Sequence, residues 1–370
     1  MASADHVIVV GGGVIGCSIA YHLAATGTKV TVVERGKIGG AASGVAAGMV
    51  ASLSEGLPHG PALDAAQESR SLTLEILPQL QQESGIDVEY VSSGILHVAF
   101  TEAEESELKA RLEWQMPLNM EVRWISAQEA GSMEPALADG ARGALFSPQE
   151  GHLNSRRLVR ALAQGAARRG VTLLQDTEVT GLLSRGGRIL GVQTPSGELH
   201  GDWVVLASGA WAGRYGNWLD VEIPVLPVKG QILAARMLPV PISRIVWRGI
   251  TYLIPKADGS IVMGTTREET EFRDRSTLAG IATILRHAID LVPAVAEGEL
   301  YRTWAGLRPG SPDGVPILGP VAGWEGVALA VGHYRSGILL SAITGKLICD
   351  YIARGEVGPL APFGLVRFAA

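Results

Sequence analysis

Apolar positions open this chain in an alternation of short runs and helical spacing. Val7–Val10 is an unbroken apolar run, the pattern of a strand buried on both faces of a parallel sheet. From Val14 to Thr26 apolar residues recur at helical intervals, and Gly27 stands where a helix takes its C-terminal cap. Lys29–Val33 is a second strand and ends at Glu34. Ala62–Ser84 repeats the helical spacing through Leu63, Leu72, Leu74, Ile76, Leu77 and Leu80. Val88–Phe100 predicts two strands around a Ser-Ser-Gly turn. Glu102–Gln115 is an acid-rich, solvent-facing helix, and Ser126–Glu134 a short one with Ser126 and Glu129 as a capping box.

Further on, Asn154 or Ser155 caps a helix that stops at a glycine, and Val171–Leu174 is a strand. Val179–Leu183 and Ile189–Thr194 form a small meander about Gly186-Gly187. Trp203–Ala207 is a buried strand leading into a small-residue turn at Ser208-Gly209-Ala210-Trp211. Short β patterns then recur from Val225 to Gly264, an antiparallel architecture unlike the beginning. Leu278–Asp290 is an amphipathic helix, Val327–Val331 a strand and Gly337–Ala353 a helix, so the end returns to α/β. The pattern predicts a two-domain chain of mixed α/β and α+β character, a Rossmann-type nucleotide-binding domain with an antiparallel-β substrate domain inserted. Residues 1–85, 145–224 and 302–370 would make the first, and residues 86–144 and 225–301 the second.

Composition narrows the picture. Of 370 residues, 47% are apolar and 18% charged, so a large core is available. The net charge is −6 with no basic block, which argues against a nucleic-acid surface. Cys17 and Cys349 read as core thiols and fit a reducing compartment. No apolar stretch has the length of a membrane span, and "MASADH" lacks a basic signal region; we expect a cytoplasmic protein with no membrane contact.

Gly11, Gly13 and Gly16 spell G-x-G-x-x-G between the first strand and the first helix. The first glycine permits the tight turn, the second the approach of a pyrophosphate and the third close packing of helix on strand. Glu34 lies where a carboxylate accepts from both hydroxyls of an adenosine ribose and repels a 2′-phosphate. The small-residue stretch Arg35–Ala51 suits backbone laid along an extended cofactor, and the motif fits NAD or FAD. G-x-S-x-G, HExxH and metal-ligand spacings are absent, so the cofactor would carry the chemistry and no metal is expected. Arg308 lies among glycines and prolines in what reads as a rigid loop, and Arg335 precedes the last helix, whose opening N–H groups at 336–339 favour negative charge. Either arginine fits anion binding or a surface ion pair; Tyr252 fits a substrate contact or a packed strand tyrosine.

The segments "VVGGGVIG", "AAGMVA", "LASGAWAG", "LPVKGQ", "YLIPK", "WAGLRPGSPDGVPILG" and "GHYRSGILLSAITG", in that order and nearly end to end, carry a resemblance. The chain resembles the amine-oxidising flavoproteins of the D-amino-acid oxidase and sarcosine oxidase group, and within it the glycine oxidases linked to the thiazole branch of thiamine synthesis. The resemblance implies non-covalent FAD and a homotetramer. The implied substrate is glycine, or sarcosine, D-proline or a D-amino acid in the neighbouring oxidases and dehydrogenases, with O₂ as acceptor and H₂O₂ as product. A non-catalytic FAD-fold interaction protein is the reading from another class.

The same resemblance implies site residues. Gly11, Gly13, Val14, Ile15 and Gly16 would meet FAD at the helix start, and Glu34 and Arg35 at the adenosine. Ala42, Ser43, Ala47, Gly48 and Met49 would line the diphosphate and ring, with Val179 at the adenine and Gly209 at the sheet edge. His333, Tyr334, Arg335, Ser336, Gly337, Ile338 and Leu339 would cradle the pyrimidine edge. Arg308 and Tyr252 would hold the substrate carboxylate, with Arg335, Met49 and Ile250 around it. Ile250 stands where glycine oxidases carry a histidine, and "VASLSEGLPHG" after Met49 also departs from their pattern; both segments bear on pocket size.

Overall fold

The computed structural model describes residues 4–118 and 120–368. A six-stranded sheet forms the first layer, in the order Ile317–Pro320, Val327–Val331, Trp203–Leu206, His6–Val10, Lys29–Val33 and Thr172–Leu174. All its neighbours are parallel except the first pair. Its central strands are apolar along their length because both faces are covered. On one face pack the helices Val14–Ala25, Pro61–Ser84, Ser155–Arg168 and Ser341–Arg354, with Ile19, Leu23, Leu80, Leu162 and Ile348 in their shared core.

The second layer is an eight-stranded mixed sheet, in the order Glu299–Gly310, Leu226–Arg236, Ser260–Gly264, Thr251–Pro255, Ile245–Arg248, Ile95–Ala99, Gly143–Ser147 and Arg123–Ser126. Side chains of a strand alternate between faces. Leu253 and Met263 face a core shared with the helix Leu278–Leu291, while Tyr252 and Ile254 face Met49 and Ala47 of the other layer. That second face borders the site described below.

Several expectations change. Of the two strands in Val88–Phe100, only Ile95–Ala99 forms; Val91 makes an isolated bridge to His152, and Glu89 and Gly94 take positive φ, which breaks an extended run. Arg308 lies not in a loop but near the end of the strand Glu299–Gly310. Pairing with Leu226–Arg236 over the length of that strand overrides its glycines and proline. The last helix begins at Ser341 rather than Gly337, after a separate turn closed by the Leu340 N–H on the Ser336 carbonyl at 2.8 Å. Gly209–Tyr215 is a 3₁₀ turn. Ser126 caps its helix, but Glu129 turns to Arg123 at 2.6 Å instead of closing the box; the reciprocal box forms at Thr101 and Glu104. The strands Gly143–Ser147 and Glu299–Gly310 run across the positions 145 and 302 drawn as domain limits, because each is paired along its length inside the eight-stranded sheet.

Candidate active site

The glycine turn is shaped by close approach. Gly11 has φ +117°, and a Cβ there would lie 2.5 Å from the carbonyl oxygen of Ala207 on the neighbouring strand. A Cβ at Gly16 would run into the carbonyl of Gly11, so only glycine lets the helix sit down on the turn. The helix start is exposed to the cavity: Gly13 offers no side-chain cap, and the Val14 N–H donates to Ser43 Oγ at 3.0 Å. The Glu34 carboxylate is held by the N–H groups of Gly12 and Gly36 at 2.7 and 2.9 Å. Arg35 lies over the Trp211 ring, 3.8 Å from its centre.

From this turn one cavity runs between the two sheets to the face that carries Tyr252. Its wall includes Ala42, Ser43, Ala47, Gly48 and Met49, then Val179, Gly209, His333, Tyr334, Gly337 and Ile338. Burial pushes His333 down to about 3, so its imidazole is neutral, and its Nε2 sits 3.0 Å from Thr344 Oγ1.

At the far end Arg308, Tyr252, Glu55 and Arg335 share the wall. Arg308 donates to Thr265 Oγ1 at 2.6 Å and to the Thr266 carbonyl at 3.1 Å. These neutral acceptors fix the guanidinium without cancelling its charge, and among the described residues no carboxylate pairs with it. A Cβ at Gly230, two positions from Val228, which faces Arg308 across the ladder, would collide with the guanidinium; glycine makes room for it. Burial lowers the Arg308 pKa, against the pull of Tyr252. Tyr252 is buried, which raises its pKa, with Arg308 and Arg335 pulling the other way; it keeps its proton at neutral pH. Arg335 meets an acid as the sequence allowed, but a buried one: its Nε is 3.4 Å from Glu55 Oε2. Burial raises the Glu55 pKa, opposed by Arg335 and Arg308. Burial pulls Arg335 down, yet Glu55 outweighs it and the guanidinium ends above its ordinary value.

The structure therefore gathers the predicted residues along one cavity, with four exceptions. Gly16 lies behind the turn; Leu339 faces the core, its carbonyl accepting from Ser69 Oγ at 2.5 Å; Ser336 lies in the turn before the last helix. Ile250 is exposed and borders a smaller outer hollow with Thr266, Arg267 and Tyr334 rather than the main cavity. Sequence reasoning passed over Glu55, Thr265 and Gly230, and named Trp211 only as part of a turn. Glu55 sits in the divergent segment after Met49, and an acid between small and apolar residues was the available signal.

A dinucleotide fits these residues on the structure's own terms. The helix end, the glycine cradle and the held carboxylate lie at one end. Along the middle, the N–H groups of Ala47 and Gly48 have no acceptor among the described residues. Among those residues no group of histidine, cysteine and carboxylate side chains is arranged for a metal, and no helix is long and apolar enough to cross a membrane.

The family model described as FAD dependent oxidoreductase (DAO) matches residues 6–351. A glycine oxidase of Geobacillus kaustophilus is 36% identical over 366 residues, covering 98% of this chain and 96% of that protein. A bifunctional protein ThiO/ThiG of Synechocystis is 35% identical over 367 residues, covering 97% of this chain and 53% of that protein, so the chain spans about half of it. The crystal structure of glycine oxidase from Geobacillus kaustophilus superposes with a TM-score of 0.95 at 35% identity, each chain covered in full.

Proposed function

Because this chain belongs to the FAD-dependent oxidoreductase family, we propose that it acts as a glycine oxidase. It would oxidise glycine, and with it sarcosine and small D-amino acids, to glyoxylate or the matching 2-oxo acid, ammonia or amine, and H₂O₂. The observation that carries this reading is the Arg308 guanidinium, with no carboxylate partner among the described residues, beside the Tyr252 hydroxyl at the end of a dinucleotide cavity. The glycine oxidase relatives support it.

FAD supplies, when bound, the acceptor for the two electrons of the substrate C–H bond and their route to O₂. Gly11, Gly13, Val14 and Ile15 would hold its diphosphate, Glu34 its ribose, Val179 its adenine, and Ala47–Met49 with His333, Tyr334, Arg335, Gly337 and Ile338 its ring. Arg308 binds the substrate carboxylate through its planar fork. Tyr252, protonated at neutral pH, donates to the same carboxylate. With one end fixed, the Cα–H bond is oriented, and orientation is what these residues contribute. The substrate enters as the neutral amine, so no side-chain base is assigned.

Tyr252→Phe keeps the ring packing and removes one hydrogen bond to a charged group. KM for glycine should rise by roughly ten- to a hundredfold, in line with about 1.5–3 kcal/mol for such a bond. Steady-state kinetics decide this, and an unchanged KM would remove the hydroxyl from carboxylate binding. Glu55 balances one of two arginines at the pocket end. Glu55→Gln should therefore favour a substrate with a second carboxylate. The ratio of kcat/KM for iminodiacetate over glycine should rise about tenfold, because like and unlike charges at close range set specificity. A constant ratio refutes that assignment.

A homotetramer, a cytoplasmic location and a place in thiamine thiazole synthesis accompany this reading; the ThiO/ThiG relative supports the last. Light scattering on the purified protein measures the assembly. The deciding experiment is a peroxide-coupled screen of glycine, sarcosine, D-proline and D-alanine with purified protein. Flavin that bleaches anaerobically with glycine and yields peroxide in air supports the proposal. A protein that stays colourless after incubation with FAD overturns it.

A further inference from the structure

The segment Gly44–Gly48 shows a pattern that the reading above does not use. Its five successive carbonyls each accept from a donor outside the cavity wall. Gly44 accepts from Arg156 Nε at 2.6 Å, Val45 from Trp304 Nε1 at 2.8 Å and Ala46 from Ser155 Oγ at 2.8 Å. Ala47 accepts from Lys256 Nζ at 2.8 Å and Gly48 from the Leu153 N–H at 2.8 Å. None of these donor residues lines the cavity, whereas Val45, Ala46, Ala47, Gly48 and Met49 do.

In a trans peptide the carbonyl and the following N–H point in opposite directions. Holding the carbonyls of Ala46, Ala47 and Gly48 on the outer side therefore turns the N–H groups of Ala47, Gly48 and Met49 the other way. Ala47 and Gly48 N–H have no acceptor among the described residues. Met49 N–H is not taken by its strand partner His152, whose own N–H and carbonyl both go to Val91. Successive N–H groups on one side favour an anion.

Lys256 is the costly member of this arrangement. Its buried ammonium has three acceptors for its three protons: the Ala47 carbonyl, the Leu153 carbonyl at 3.1 Å and His152 Nδ1 at 3.2 Å. Burial and the neighbouring Lys256 push His152 down to about 3, so its ring is neutral and able to accept. Burial lowers Lys256 itself to about 7. A methionine would fill the space without this desolvation, so the ammonium calls for a reason beyond packing.

We infer that Lys256 and Ser155 are positioning residues for the cofactor, which turn the N–H groups of Ala47, Gly48 and Met49 into the cavity to stabilise negative charge on the bound flavin ring. The inference rests on the FAD reading above. Sulfite tests it, because its addition to an oxidised flavin places negative charge on the ring, and the affinity reads how well that charge is stabilised. Lys256→Met should retain FAD while sulfite binds about tenfold more weakly or worse, the effect of a lost charge-assisted hydrogen bond. Ser155→Ala should weaken sulfite binding about threefold, the effect of a neutral one. Lys256→Arg should restore wild-type affinity.

A merely structural lysine gives a different result: lowered melting temperatures with unchanged sulfite affinity, which overturns the inference. Should Lys256→Met fail to fold, Ser155→Ala decides alone, its weakened sulfite binding supporting the inference and its wild-type affinity overturning it. A colourless wild-type protein refutes the FAD reading, whereas a yellow wild type with unaltered variants refutes only this inference.

Discussion

Arg308→Ala should raise KM for glycine by roughly two to three orders of magnitude while FAD content stays unchanged. Removing one partner of a desolvated charge pair costs about 3–5 kcal/mol, and about 1.4 kcal/mol is tenfold. The loss is not replaceable by another side chain: among the described residues Arg335 is already engaged by Glu55, and the contacts of Arg308 are to neutral oxygens. Arg308→Lys should fall well short of rescue, since a point charge lacks the planar fork that matches a carboxylate. The measurement is steady-state kinetics beside a flavin absorbance spectrum of the same preparation. A wild-type KM in the alanine variant takes Arg308 out of the site.

Gly11→Ala should weaken FAD retention about thirtyfold or more. Two penalties coincide at this position. A φ of +117° lies outside what L side chains adopt, and the new Cβ meets the Ala207 carbonyl at 2.5 Å. Left-handed strain costs about 1–2 kcal/mol and overpacking about 1–3 kcal/mol. Relief requires the turn to move off the neighbouring strand, and the turn is part of the cavity wall. Gly27→Ala is the control: φ there is +83° with nothing near a Cβ, so it loses stability but keeps its flavin. Equilibrium dialysis of FAD against both variants distinguishes them, and equal affinities would discard the close-approach argument.

Much of the dinucleotide end was legible in the chain. Val7–Val10, the glycines after it, the helix Val14–Ala25 and the strand Lys29–Val33 lie where their patterns put them. Glu34 follows from its distance along the chain, since strand, turn and helix have fixed lengths. The amino-acid end was legible only as residue types in a recognised order. Arg308 read as a loop residue because its neighbours are glycine and proline, and the strand Leu226–Arg236 that pairs with it lies some eighty residues earlier. Val88–Phe100 carried the residues of two strands, but only Ile95–Ala99 forms a ladder, the other half making a single bridge from Val91 to His152.

The local pattern of this chain was sufficient for the strand–turn–helix unit and its cofactor class. Periodicity and turn chemistry act over a few residues and need nothing from the rest of the molecule. Glu55 reaches the cavity wall, and Lys256 the backbone behind that wall, for a different reason. Glu55 meets an arginine 280 positions away, and Lys256 reaches across 209 positions to the Ala47 carbonyl. Partners so far apart are joined only by the tertiary fold. Burial then decides which charges stay, which pair, and which backbone donors remain for a ligand.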